Sequence, residues 1–122
     1  MAILIESPQS IQPAGDKPKR IDEFFGRASD GNQQVSIAKM QAPAGWTEPG
    51  QRPDFDEYTL VLSGMLMVKT LDRQYKVKKD QAILVRNNEW VQYSTPAEQG
   101  AHYLSVCLPA FSEEIVHRDN SE

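Results

Sequence analysis

The stretch Asp54-Phe55-Asp56-Glu57-Tyr58 packs three carboxylates into four consecutive positions, the densest proton chemistry in the chain. In an extended segment side chains alternate, so Asp54 and Asp56 share one side and Glu57 faces the other. The two aspartates read as solvated charges at a loop end. Glu57 differs if its side leads into an interior, because a carboxylate in apolar surroundings is costly to ionise and its pKa rises. Such an acid can move protons on a bound small molecule, or hydrogen-bond a ligand without reacting. Trp46, Phe55, Trp90 and Tyr93 offer ring area that either walls a pocket mouth or packs in the core. Arg86 closes an apolar run, and it either meets a carboxylate ligand or pairs with an acid such as Glu89. Cys107, in Tyr-Leu-Ser-Val-Cys-Leu-Pro, has no His or Asn beside it and reads as a small buried hydrophobe. No Ser/His/Asp set or phosphate loop is present.

These residues need strands to position them. Short β-type runs follow one another at Val35–Gln41, Tyr58–Ser63, Met65–Leu71, Tyr75–Lys78, Ala82–Arg86, Trp90–Thr95 and His102–Leu108. Turn formers such as Gly64, Asn87-Asn88 and Pro96 separate them, a pitch that suggests an all-β sandwich or barrel rather than βαβ units. Within the run from Glu57, Tyr58, Leu60 and Leu62 fall on one face, and Glu57, Thr59, Val61 and Ser63 on the other. Residues 7–19 carry three prolines and read as an irregular arm. The run from Arg20 to Ala28 is either a short helix or an extended segment laid on the barrel. Ser112 reads as the N-cap of one helical turn with Glu113 and Glu114 in the favourable first turn.

The spacing Gly45-x5-Gln51-x-Pro53-x3-Glu57-x6-Gly64 resembles the first motif of the cupin superfamily, Gly-x5-His-x-His-x3,4-Glu-x6-Gly. In that family the two histidines and the glutamate hold a divalent metal inside a small β-barrel. Here the histidine positions read Gln51 and Pro53, while Glu57 and both framing glycines stand. The family's second motif, Gly-x5-Pro-x-Gly-x2-His-x3-Asn, falls on Asp80, Arg86, Asn88, Val91 and Thr95, or one residue earlier on Lys79, Val85, Asn87, Trp90 and Ser94. The first register is preferred because Asp and Asn tolerate the left-handed backbone that the motif's glycines serve. Neither register supplies a histidine. The resemblance thus implies the barrel and the inward direction of Glu57, and speaks against the usual metal chemistry. Ethanolamine-utilisation cupins also lack the histidine triad, so its loss need not mean inactivity.

The chain has 122 residues with 39% hydrophobic and 25% charged, fitting one ordinary globular domain. Its net charge of −4 gives no basic footprint for nucleic acid. No apolar run approaches the roughly 18 residues that span a bilayer. The N-terminal residues lack the basic flank of a signal peptide. One cysteine excludes an internal disulfide framework and fits a reducing cytoplasm.

The expected fold is an all-β double-stranded β-helix, a cupin or jelly-roll barrel, with an extended N-terminal arm. Residues 1–34 form the arm and an edge strand, 35–111 the barrel, and 112–122 a tail. The Ala2–Ile5 run would supply an edge or swapped strand in a homodimer. The expected function is small-molecule binding in a pocket organised by Glu57, with Gln51, Tyr93, Arg86, Trp46 and Trp90 as contacts. An alternative is an isomerase, lyase or cyclase with Glu57 as general acid/base and Tyr93 or Arg86 steadying an anionic intermediate. A third is an interaction module with a filled barrel. No cofactor is expected. A divalent metal, were one to bind, would draw on Glu57 with Gln51, His102 or Asp56. His117 reads as a solvated tail residue, and His102 as a barrel-edge or packing residue.

Overall fold

The computed structural model describes residues 1–119, so the tail expected over 112–122 is seen except for its last three residues. Nine strands and one short helix follow in order: β1 (Gln9–Ile11), β2 (Arg20–Phe25), β3 (Ser36–Ala42), β4 (Trp46–Thr47), β5 (Asp56–Thr70), β6 (Gln74–Lys78), β7 (Ala82–Val85), β8 (Val91–Thr95), β9 (Ala101–Leu108) and α1 (Glu113–Val116). Every strand pairing is antiparallel. The segment from Arg20 is therefore extended, and it docks on β3.

The two runs expected on either side of Gly64 are one strand of 15 residues, and this strand organises the barrel. Its first half lies between β7 and β9, with Glu57 opposite Val85 and Cys107. Its second half lies between β6 and β8, with Val68 opposite Tyr75 and Tyr93. One strand thus belongs to two sheets, and the crossing needs a bend. A register shift between Val61 and Ser63 supplies an extra residue, and Gly64 follows at φ 77°. Bulges bend and twist a strand in this way. A side chain at Gly64 would run into the Gly100 carbonyl, so only glycine fits there.

The bulge also reverses which residues face inward. Glu57, Thr59 and Val61 are buried before it, and Leu66, Val68 and Thr70 after it. Ser63 is exposed, which corrects the expectation that it shares the face of Glu57. Trp46, Val61, Leu66, Val68, Val91, Tyr93 and Tyr103 form the main core. Phe55, Cys107 and Val116 form a second cluster beneath α1, whose N-cap Ser112 accepts from the Glu114 amide at 3.1 Å.

Within the single chain residues 1–8 carry no strand, and Gln9–Ile11 takes the edge position on β2. Ile3 and Leu4 are exposed. The second motif's register is resolved by the backbone: Asp80 and Asn88 take φ 67° and 68°, the left-handed conformation for which the glycines of that motif are suited. Val91, on the missing histidine's position, is fully buried.

Candidate functional site

Glu57 points into the barrel near the start of β5 and is buried. Tyr93 on β8 donates its hydroxyl to Oε1 at 3.2 Å, and Ser105 on β9 donates to Oε2. Alternation places both donors: Val91, Tyr93 and Thr95 face inward on β8, and Tyr103, Ser105 and Cys107 face inward on β9. Burial pushes the Glu57 carboxyl above its ordinary range, while the Ser105 bond, the Lys19 charge and the Tyr93 bond act against that rise. Burial and then the Glu57 charge hold the Tyr93 phenol far above its usual value, so it stays a neutral donor.

Around this acid lies an internal cavity of about 60 Å³. Lys19, Glu48, Gln51, Tyr103 and Arg118 join Glu57 and Tyr93 in its wall, and Ile11 and Gln12 of the arm cover one side. Lys19 stands just before β2 and is buried. Its ammonium lies 3.9 Å from the centre of the Trp46 ring and 5.2 Å from that of Tyr103, a cation–π seat between two aromatic faces. Glu48 follows β4 and is equally buried. Among the described residues neither the Lys19 ammonium nor the Glu48 carboxyl takes part in a side-chain hydrogen bond or in an ion pair within 4.0 Å. Both groups thus turn their polar ends to the cavity rather than to another side chain.

Burial lowers the Lys19 pKa; the charges of Glu48 and then Glu57 oppose this, and Arg118 adds to it. Burial raises the Glu48 carboxyl to about 7, against the pull of Lys19 and Arg118. This sets the sign of a pH effect. A carboxyl that holds its proton more tightly when folded stabilises the protein below its unfolded value near 4.5, and that contribution is lost as pH rises to about 7. Wild-type protein is therefore expected to lose stability relative to Glu48→Gln across that window, by up to about 3 kcal/mol. Melting curves of both proteins from pH 4.5 to 8 test it; parallel profiles would remove Glu48 from the account.

The C-terminal segment completes the wall. Its backbone runs antiparallel to residues 50–54, with bonds Asp119 N to Gly50 O at 2.7 Å, Arg52 N to His117 O at 3.1 Å and Asp54 N to Ile115 O at 2.8 Å. This brings Arg118 over Gln51, where Nη1 donates to Gln51 Oε1 at 3.2 Å while Nη2 meets Glu113 at the same distance. The same strip gives His117 a partner, Asp54, at 2.7 Å, so this histidine is half-exposed and paired rather than simply solvated. Asp56 likewise accepts the Asn87 amide at 2.8 Å, which holds its pKa below the ordinary range.

Of the residues expected at the pocket, Glu57, Gln51 and Tyr93 come together. Trp46 stands behind Lys19 in the core, its indole bonded to the Ala14 carbonyl at 3.1 Å. Three expectations are corrected. Arg86 is exposed, where the chain leaves β7, and lies outside the cavity wall, so it cannot steady an anionic intermediate there. Trp90 turns away to Asp119, with its indole 2.9 Å from Oδ2. His102 sits at an outward position of β9, between the inward Ala101 and Tyr103, and cannot join Glu57 and Gln51. Sequence reasoning missed Lys19, Glu48, Ser105 and Arg118. Ser105 was open to discovery, since it has the parity of Cys107 and Tyr103 on a strand; the others come from loops and a tail.

A cupin barrel ordinarily implies a metal, and the residues here do not fit one. Gln51, Pro53 and Val91 occupy the three histidine positions, and both oxygens of Glu57 are engaged by hydroxyl donors. No cluster of three or more His, Cys, Asp or Glu residues suited to a metal exists among the described residues. A transition metal draws on imidazole or thiolate, which this wall offers only as the buried Cys107, whose thiol pKa burial pushes up.

No family model matches the chain. Endoribonuclease YbeY of Myxococcus xanthus (strain DK1622) is 39% identical over 104 residues, covering 85% of this chain and 35% of that one, so the chain spans about a third of that protein's length. The polyketide cyclase RemF from Streptomyces resistomycificus superposes with TM-score 0.77 at 17% identity, over 100% of this chain and 87% of that one. The Schizosaccharomyces pombe Cnp3 cupin domain superposes with TM-score 0.67 at 12% identity, over 80% and 69%. Identities this low speak to fold alone. No helix among the described residues is long and apolar enough to cross a membrane. With φ 78° and 77° at the framing glycines and a curled antiparallel barrel shared with these structures, the chain has a cupin-type fold.

Proposed function

We propose that this protein binds a small polar molecule inside the barrel, without the histidine-held metal usual for the fold. The observation that carries this reading is the buried pair Lys19 and Glu48, both facing the cavity and neither engaged in a side-chain hydrogen bond or ion pair among the described residues. A donor and an acceptor facing one space suit a small polar ligand that pairs with both. The size of the space limits the ligand. At about 60 Å³ it is well below the roughly 300–1,000 Å³ of drug-sized pockets, so the guest has only a few heavy atoms. The same space argues against the filled-barrel module.

The test is denaturing extraction of the purified protein for a retained small molecule, together with thermal-shift titration using acetate, glyoxylate and pyruvate. Saturable stabilisation that disappears in a Lys19→Met, Glu48→Gln double variant is expected. No retained molecule and no shift from any of the three would defeat the reading.

A second reading, a metal-free isomerase, lyase or cyclase, is favoured by one observation: two buried carboxyls, Glu48 and Glu57, line the same wall, and burial pushes Glu48 up to about 7. Acids near the operating pH are effective proton carriers. The single buried cysteine fits a cytoplasmic setting. For the homodimer we favour the outer face of β5, β7 and β9, where Tyr58 and Leu60 are exposed beside Leu84, Leu104 and Val106. Leu60→Glu is expected to turn a dimer into a monomer in light scattering, whereas removing residues 1–5 should not.

A further inference from the structure

We infer that Lys19 is a nucleophile that captures a small aldehyde or 2-oxo acid as an imine inside the barrel. This rests on the binding reading above and names the ligand class and the bond formed. Four observations carry it. The Lys19 amine is buried and faces the cavity. No carboxylate lies within 4.0 Å of it among the described residues, so it is not consumed in a structural ion pair. The rings of Trp46 and Tyr103 hold it at 3.9 and 5.2 Å, which fixes a flexible side chain in one place. Glu48, a buried carboxyl that can hold or release a proton, shares the same wall.

An amine must be neutral to attack, and desolvation is the established way to release a lysine from its proton. Burial is the largest influence on this lysine and acts in that direction. The step balances without a redox partner. The nitrogen lone pair of Lys19 adds to the carbonyl carbon, and the π pair moves to oxygen, which takes a proton from the neutral Glu48 carboxyl. The nitrogen then returns a proton to Glu48. The resulting carbinolamine loses its hydroxyl as water, protonated again by Glu48, and leaves a protonated imine on Lys19. Amine plus carbonyl gives imine plus water. The cavity restricts the partner to a few heavy atoms, and the Arg118 guanidinium on the same wall suits a carbonyl compound that also carries a carboxylate.

Incubating the protein with glyoxylate and cyanoborohydride at neutral pH, followed by peptide mapping, tests this. The reduced adduct is expected on Lys19 in at least about tenfold excess over any other lysine, because a solvated lysine stays protonated at that pH. Lys19→Arg should remove it while circular dichroism shows a folded barrel, and Lys39 in wild-type protein serves as an internal control. Labelling spread evenly over the lysines overturns the inference, whether or not the Arg variant folds. Saturable thermal stabilisation by glyoxylate without an adduct also overturns it and leaves the binding reading standing. Neither stabilisation nor adduct defeats both.

Discussion

Glu57→Gln is expected to leave the barrel folded and its affinity for a small carboxylate within about threefold, while any proton-transfer turnover falls by about 10²–10⁴-fold. The fold survives for a local reason. The two donors to Glu57 are hydroxyls, from Tyr93 and Ser105, and a hydroxyl can rotate to accept from the new amide as readily as it gave to the old oxygen. What disappears is a negative charge near Lys19 and a site that can hold or release a proton. Binding that persists with turnover lost assigns an enzyme; binding that persists with no turnover in wild type assigns a receptor. Loss of the folded state itself would show that Glu57 is a structural acid, and both readings of it would fall.

Trp46→Ala carries the largest expected effect on stability, about 3–5 kcal/mol in chemical denaturation, the usual cost of emptying a large aromatic site. Trp46 is 1% exposed in the main core, yet it does three things at once. It fills volume, it ties the arm through its bond to Ala14, and it offers the face against which the Lys19 ammonium rests. The truncation should therefore also weaken retention of any cavity ligand beyond what unfolding explains, measured at a denaturant-free temperature well below the transition. Trp90→Ala is the control. Trp90 is half-buried and bonded to Asp119 at the surface, so its removal should cost less than half as much and leave the cavity unchanged. Equal losses would contradict the placement of these two rings.

The barrel was legible because its signals are local. Alternation along β5 and the turn formers between short runs depend on neighbouring residues, and the pair of framing glycines sits where the backbone takes φ 78° and 77°. The preference for Asp80 and Asn88 at left-handed positions followed from the chemistry of those two side chains, and the backbone agrees. Glu57 and Gln51 could be read from the motif spacing, whose resemblance implies the inward side for Glu57. Lys19 could not, because it sits in a Pro-rich arm with the composition of a linker, and nothing nearby says that it turns inward. Arg118 belongs to a polar tail that gains its role by lying along residues 50–54. The misplacements have the same origin. Arg86 and Trp90 flank a turn at Asn87-Asn88, and a turn reverses direction without announcing which flank faces the interior.

The left-handed backbone at Asp80 and Asn88 has a consequence for how this protein can change. The turn geometry of the second motif and the imidazole it frames are separable, since Asp80 and Asn88 hold the left-handed backbone and Val91 stands where the motif has histidine. Val91 is fully buried and Gln51 nearly so, so a histidine at either motif position would have to displace its neighbours. The path of the chain is thus set by one group of residues and the contents of the cavity by another.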